Sequence, residues 1–201
     1  VLSQLDNIIF PDRCEVLEVA PQRYVYPIYK NGYSSLSNSG FRTLAMAELP
    51  ALDTVEIFVR EPVERFFSGL SSYIEYNKQL DQDTLLFIAG HHLFINRHFA
   101  PQFHWLVNLR RFTQAQIRIN PIEDLKTVTD LHINENKNKV HYNIIDFPKV
   151  TFYMQLDKVL TQDLLGKTVP WKLIVQTMQK RYPDVYKEVV QRSINLCNVL
   201  G

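Results

Sequence analysis

Tyr24-Val25-Tyr26-Pro27-Ile28-Tyr29-Lys30-Asn31-Gly32-Tyr33-Ser34-Ser35-Leu36 is the stretch of this 201-residue chain from which its architecture is read. The aromatic and β-branched residues from Tyr24 to Tyr29 predict a short strand, with Pro27 an irregularity inside it. Polar and glycine positions follow at once from Lys30 to Ser35, and a helix is expected from about Ser34 to Glu48, closed by Pro50. A strand that runs through a glycine loop into a helix aims several backbone N–H groups at one spot. The positive end of the helix dipole adds to them, so phosphate or sulfate is attracted there. Gly32 permits close approach or a positive φ, Lys30 brings a mobile charge, and Ser34 and Ser35 offer hydroxyls. The same residues also suit a solvated lysine, a turn glycine and an ordinary helix cap. A nucleoside-triphosphate loop places its glycines before a Lys-Ser/Thr pair, whereas Lys30 precedes Gly32.

Outward from this stretch, Val55 to Val59 is an apolar run of the kind a covered parallel strand shows. Glu61-Pro62 reads as a helix opening, because proline at the first helical position loses no needed hydrogen bond. Val63, Phe66, Phe67, Leu70 and Ile74 then recur at helical spacing and draw one apolar stripe. Arg60 leaves the strand and Ser68 lies about two helical turns beyond Glu61, so a charge and a hydroxyl can meet one phosphate. Alternatively, Arg60 pairs with Glu64 and Ser68 is a small residue at a helix contact. Two strand-loop-helix passages in succession are the grammar of an α/β fold with a parallel sheet and right-handed crossovers.

Further helices are expected over Asp83–Ala89, from Pro121 to about Leu131, over Trp171–Arg181 and over Asp184–Leu196. Gln116–Ile119 is an expected strand, while Phe103–Leu109 reads equally as helix or strand. Gly90–Gln102 is a loop rich in histidine and aromatics, and Asn134–Lys139 an exposed loop. Nothing divides residues 1–201 into more than one domain.

With 46% hydrophobic and 12% aromatic residues the chain is no disordered segment. Twenty-two basic against 21 acidic side chains, a net charge of +1, argue against a broad electrostatic grip on nucleic acid. Any anion site is therefore local. Cys14 and Cys197 make no disulfide framework and point to a reducing compartment. No apolar run approaches the roughly 20 residues of a membrane span. Asp6 and Asp12 interrupt the first apolar patch, unlike a signal peptide. These features favour the cytoplasm; a leader or anchor trimmed before Val1 leaves the secretory lumen open.

Together the two segments closely resemble the nucleotide-binding pair of sulfotransferases that use 3'-phosphoadenosine 5'-phosphosulfate (PAPS). The first pattern in that family, Lys-x-Gly-x-Ser/Thr-Ser/Thr-Leu, is matched by Lys30-Asn31-Gly32-Tyr33-Ser34-Ser35-Leu36. The second, Arg-Asp-Pro, a spacer, Arg, an aromatic and Ser, is matched by Arg60-Glu61-Pro62, Arg65, Phe66 and Ser68, with Glu61 replacing the commoner aspartate. The match covers roughly residues 24 to 76. It implies a three-layer α/β fold with a central parallel sheet, related to the P-loop nucleotide kinases, and transfer without a metal. It also implies that the loop from Lys30 through Asn31, Gly32, Tyr33 and Ser34 to Ser35 surrounds the 5'-phosphosulfate, and that Arg60 and Ser68 hold the 3'-phosphate. The product would be 3'-phosphoadenosine 5'-phosphate (PAP).

His98-Phe99-Ala100-Pro101-Gln102 is similar to a His-Trp-x-Pro-Gln stretch of Golgi carbohydrate sulfotransferases, with Phe99 in place of tryptophan and without the cysteines that usually follow. No counterpart of the C-terminal glycine-rich loop of the cytosolic aryl and steroid enzymes follows residue 141. The resemblance thus implies a hydroxyl acceptor, a small molecule or a glycan. Such an acceptor needs a base. His91, His92, His98 and His104 cluster in the chain; His98 ranks first, then His92 and His91, with the carboxylates of Glu48 and Glu64 below them. The four histidines match no tight metal motif. A catalytically inactive module that binds a nucleotide or a sulfated ligand is the competing expectation.

Overall fold

The computed structural model describes residues 14–91, 98–130 and 142–190. Six strands form one open sheet: β1 Leu17–Ala20, β2 Arg23–Val25, β3 Arg42–Thr43, β4 Thr54–Val59, β5 Gln116–Pro121 and β6 Thr168–Val169, in the order β3-β1-β2-β4-β5-β6. The three in the middle are parallel, with Val25 beside Glu56 and Thr54–Val59 in register with Gln116–Pro121. The pairs β1/β2, β1/β3 and β5/β6 are antiparallel. The fold is therefore α/β as expected, but the sheet is mixed and not wholly parallel. The reason lies at Pro21-Gln22, where Gln22 takes a φ of 60°. So short a link between β1 and β2 permits only a hairpin. The expected strand Tyr24–Tyr29 keeps its ladder to Val25, and the Tyr26 N–H adds one bond to the Glu56 carbonyl at 2.9 Å. Pro27 has no N–H to continue it.

The helix expected over Ser34–Glu48 is instead the six-residue α1, Tyr33–Asn38, followed by β3 and a 3-10 turn at Met46–Ala51. Ser37-Asn38-Ser39-Gly40 breaks it: serine and asparagine compete with the helix backbone, and Gly40 adopts a φ of 71°. Helix α2, Pro62–Tyr76, opens where expected, with the Glu61 carboxylate accepting from the Glu64 N–H at 2.8 Å. Next come α3, Gln82–His91, and α4, Gln102–Arg110, which settles the Phe103–Leu109 ambiguity as helix. After Pro121 only a 3-10 turn forms, Ile122–Thr127. Helix α5, Pro148–Lys158, runs into a π turn at Val159–Asp163, and α6 is Trp171–Arg181. A helical turn Pro183–Val185 and a π turn Tyr186–Val190 begin the last expected helix. The remainder of that helix and the Asn134–Lys139 loop lie outside the described residues.

Alternation along β4 and β5 sorts the core. Val55, Ile57, Val59, Ile117 and Ile119 join Phe103 and Leu106 of α4, Leu156 of α5 and Ile174 of α6 in the largest apolar cluster. Phe58 on the opposite face packs with Leu17, Val25, Leu36 of α1 and Leu125. A third cluster, around Phe66, Leu70, Leu85, Phe99, Phe147 and Met154, ties α2 and α3 to α5. Among the described residues no helix is long and apolar enough to cross a membrane.

Candidate functional site

The chain leaves β2 toward Tyr29 and Lys30 and leaves β4 at Arg60, so both expected anion segments follow the carboxyl ends of parallel strands. That edge is where open α/β sheets bind their ligands. Lys30 has a φ of 69° and Gly32 one of 78°, and no positive φ occurs between them. Such alternation of left-handed and ordinary residues is the backbone pattern of an anion-binding concavity, with the Asn31 N–H itself bonded to the Ile28 carbonyl at 3.0 Å. For Gly32 this costs nothing, whereas Lys30, with its Cβ, is held there at roughly 1 kcal/mol.

Asn31 has a different task from its neighbours. Its side chain is buried and donates to the Phe58 carbonyl at 2.8 Å and to Gln102 Oε1 at 2.6 Å, riveting the loop to β4 and α4. The Tyr33 ring lies tilted against Tyr29, centroids 4.2 Å apart at 33°, and its hydroxyl donates to Glu15 Oε2 at 2.8 Å. Burial, with that hydrogen bond, pushes the phenol up to about 12. Tyr29 in turn lies flat against Trp105, at 5.3 Å and 12°. Ser34 is exposed and Ser35 buried, just after the Gly32 carbonyl that accepts the first helical bond from the Leu36 N–H at 3.0 Å. A cavity of 510 Å³ opens beside Ser35, walled by Phe41 and residues from Lys126 to Asp130.

Helix α2 supplies the opposite wall. Arg65, Ser68 and Ser72 fall three and four residues apart and so share one face. Arg65 Nε donates to the Tyr29 carbonyl at 3.1 Å, and the Lys30 ammonium donates to Ser72 Oγ. Ser68, half-buried, lies on that face between two residues that both touch the loop. The Lys30 ammonium is held below its ordinary value by burial first, then by the nearby charges of Arg65 and Arg60. Three cations thus converge on one strand edge.

Arg60 pairs with Glu64 at 3.4 Å, the alternative its spacing had left open. Both side chains are partly exposed, and such a pair is worth about 0–1 kcal/mol. An incoming anion displaces Glu64 at little cost. The Arg60 backbone is fixed more firmly: its N–H donates to Gln102 Oε1 and its carbonyl accepts from Gln102 Nε2, each at 2.9 Å.

The candidate bases separate by environment. His98 is half-buried, edge-on to Tyr29 at 5.6 Å and 5.8 Å from the ring of Tyr76, so the structure brings it beside the loop. His104 is 2% exposed, and burial pushes its imidazole down to about 3. It is a neutral core residue, too weak a base for the role. His92 and the side chain of His91 lie outside the described residues. Glu48 caps the Met46–Ala51 turn through the Ala45 N–H at 2.7 Å and pairs with Arg42, and Glu64 holds Arg60. Among the described residues no three His, Cys, Asp or Glu side chains gather as metal ligands.

The sequence alone assigns no task to Arg65, Ser72, Gln102 or Asp157. Asp157 accepts from the N–H groups of Gln102 and Phe103 at 2.8 and 2.9 Å and so caps α4 from across the fold. Burial raises its carboxyl, with Arg65 pulling the other way. Gln102 did stand in the quoted His98–Gln102 stretch, but its partners Asn31 and Arg60 are set by tertiary contact alone. The chain matches no known protein-family model, no curated protein and no solved structure.

Proposed function

We propose that the protein transfers a sulfuryl group from PAPS to a hydroxyl acceptor, on a sulfotransferase fold of the P-loop nucleotide-kinase type. The observation that carries this reading is Lys30 at the strand edge, its ammonium close to Arg60 and the buried Arg65, on a loop in which Lys30 and Gly32 both take a positive φ. The residues suit the donor: cations and N–H groups for two phosphate ends, hydroxyls at Ser34, Ser35 and Ser68, and room beside Ser35 for a nucleoside. When bound, PAPS supplies an SO3 group on a phosphate leaving group. The loop N–H groups from Gly32 to Ser35 hold the 5' end, and Arg60 with Ser68 holds the 3'-phosphate. Lys30 exchanges Ser72 for the oxygen on which charge grows, a contribution made mainly in the transition state. His98 accepts the proton of the acceptor hydroxyl as its oxygen bonds to sulfur. The His98–Gln102 likeness favours a glycan acceptor over a small phenol or steroid.

The purified protein, given sulfur-labelled PAPS and a mixed acceptor panel, is expected to transfer label. In Lys30→Ala turnover falls about 100-fold or more. In Arg60→Ala the PAPS requirement rises about 10-fold or more, with a smaller change in kcat. Tight PAP binding without transfer to any acceptor would instead identify a binding module. Absence of PAP binding would sink the reading.

A further inference from the structure

The structure assigns to Arg65 the part of a positioning residue that makes the Lys30 loop and the His98–Gln102 segment one mechanical unit. Its consequence for catalysis rests on the proposed reading; its mechanical content does not. Arg65 is 2% exposed. One guanidinium donates through Nε to the Tyr29 carbonyl at 3.1 Å and through Nη1 to the Ala100 carbonyl at 2.5 Å. The first acceptor immediately precedes Lys30, and the second lies two residues after His98. The guanidinium is a rigid planar fork, so fixing two carbonyls on it fixes them relative to each other.

Two neighbours close the arrangement from either side. One turn along α2, Gly69 leaves room for the His98 carbonyl, into which any Cβ at that position would run. At the far end of the segment Gln102 binds the Asn31 side chain and both backbone groups of Arg60. Asp157 fixes the N–H groups of Gln102 and Phe103. Even with the buried Asp157 carboxylate offsetting it, a buried cation close to Arg60 and Lys30 is a costly way to fill helix surface, and an apolar side chain would pack there more cheaply. What the charge provides is the double grip. Lysine preserves charge but presents a single ammonium in place of the fork.

Amide hydrogen exchange on the full chain without ligand tests the coupling. In Arg65→Lys, peptides covering Tyr29–Gly32 and His98–Gln102 are expected to lose protection together, about 10-fold or more, while β1 and α6 keep theirs. Gly69→Ala displaces the His98 carbonyl without altering Arg65, and is expected to loosen Tyr29–Gly32 as well; it carries the test if Arg65→Lys does not fold. Loosening confined to His98–Gln102 in Gly69→Ala, or protection lost uniformly through β1 and α6 in Arg65→Lys, overturns the inference. For turnover, Arg65→Lys is expected to lower kcat about 10-fold while PAP affinity changes less than about 3-fold. Equal losses in both would make Arg65 a nucleotide ligand and not a positioning residue. A wild-type protein that fails to bind PAP defeats the proposed function and leaves the exchange result to stand or fall by itself.

Discussion

His104 lies six residues beyond His98 on the chain and in the opposite environment, fully inside the fold where His98 stands half open beside Tyr29. Its folded pKa of about 3 sits below the ordinary 6.5. As the pH falls through 6.5 the unfolded chain takes the proton and the folded one does not. Stability should therefore decline from there toward pH 3, by up to about 1.4 kcal/mol per pH unit. Between pH 7 and pH 5 the loss due to this one group is about 2 kcal/mol. Urea titrations of the wild type and of His104→Gln at both pH values measure it, since the difference between the two proteins cancels the other groups. At this scale the sequence showed residue types but not their surroundings. Lys30 and Arg60 were legible because each follows a run of residues that reads as a strand. Arg65 was legible only as a matched letter, because the carbonyls that give it a task, at Tyr29 and Ala100, lie 36 and 35 positions away. The histidine cluster could be counted but not sorted, since burial is a property of the packed chain.

Among the elements, α2 was the most legible and is the most informative to perturb. Its apolar stripe, its proline and its cap are all local signals, and each is found in place. Glu61→Ala removes the acceptor for the Glu64 N–H and should cost about 1 kcal/mol, whereas Glu61→Asp should retain most of it. Thermal melts read this as a drop of about 2–4 °C for a chain of this size. Loss of the cap also frees the turn that carries Arg60 and Arg65, so the same substitution should weaken PAP binding before it lowers helix content. The overlong α1 expectation failed for an equally local reason, the breakers at Ser37–Gly40. The β1/β2 hairpin leaves no mark in the sequence because its strands are four and three residues long, too short for alternation to show.

For the molecule as a whole, α5 is the joint. Leu156 belongs to the cluster under the sheet, while Val150 and Met154 belong to the one that packs α2 and α3. Phe147 is the keystone of the latter, with its ring 5.4 Å from Phe66 and 6.3 Å from Phe67, and filling the space a side chain at Gly90 would take. Phe147→Ala should cost about 3–5 kcal/mol. Trp105 and Trp171 both lie in the other cluster, so their fluorescence reports on a region the substitution does not touch. Coincident fluorescence and circular-dichroism transitions in the variant are expected, because the shared helix makes the clusters unfold as one. Separate transitions would show that the cluster packing α2 and α3 unfolds independently of the one under the sheet.

The outermost strands have a consequence for how the protein behaves in a crowded solution. Each is two residues long; β3 carries Arg42, tied to Glu18 and Glu48, and β6 runs straight into Pro170. A foreign strand seeking an open ladder finds on either flank of the described sheet scarcely one rung, then a charge or an imino ring. The six-residue pairing of β4 with β5, the longest in the described sheet, is enclosed on both sides. Resistance to edge-to-edge aggregation is thus built into the smallest elements of the fold.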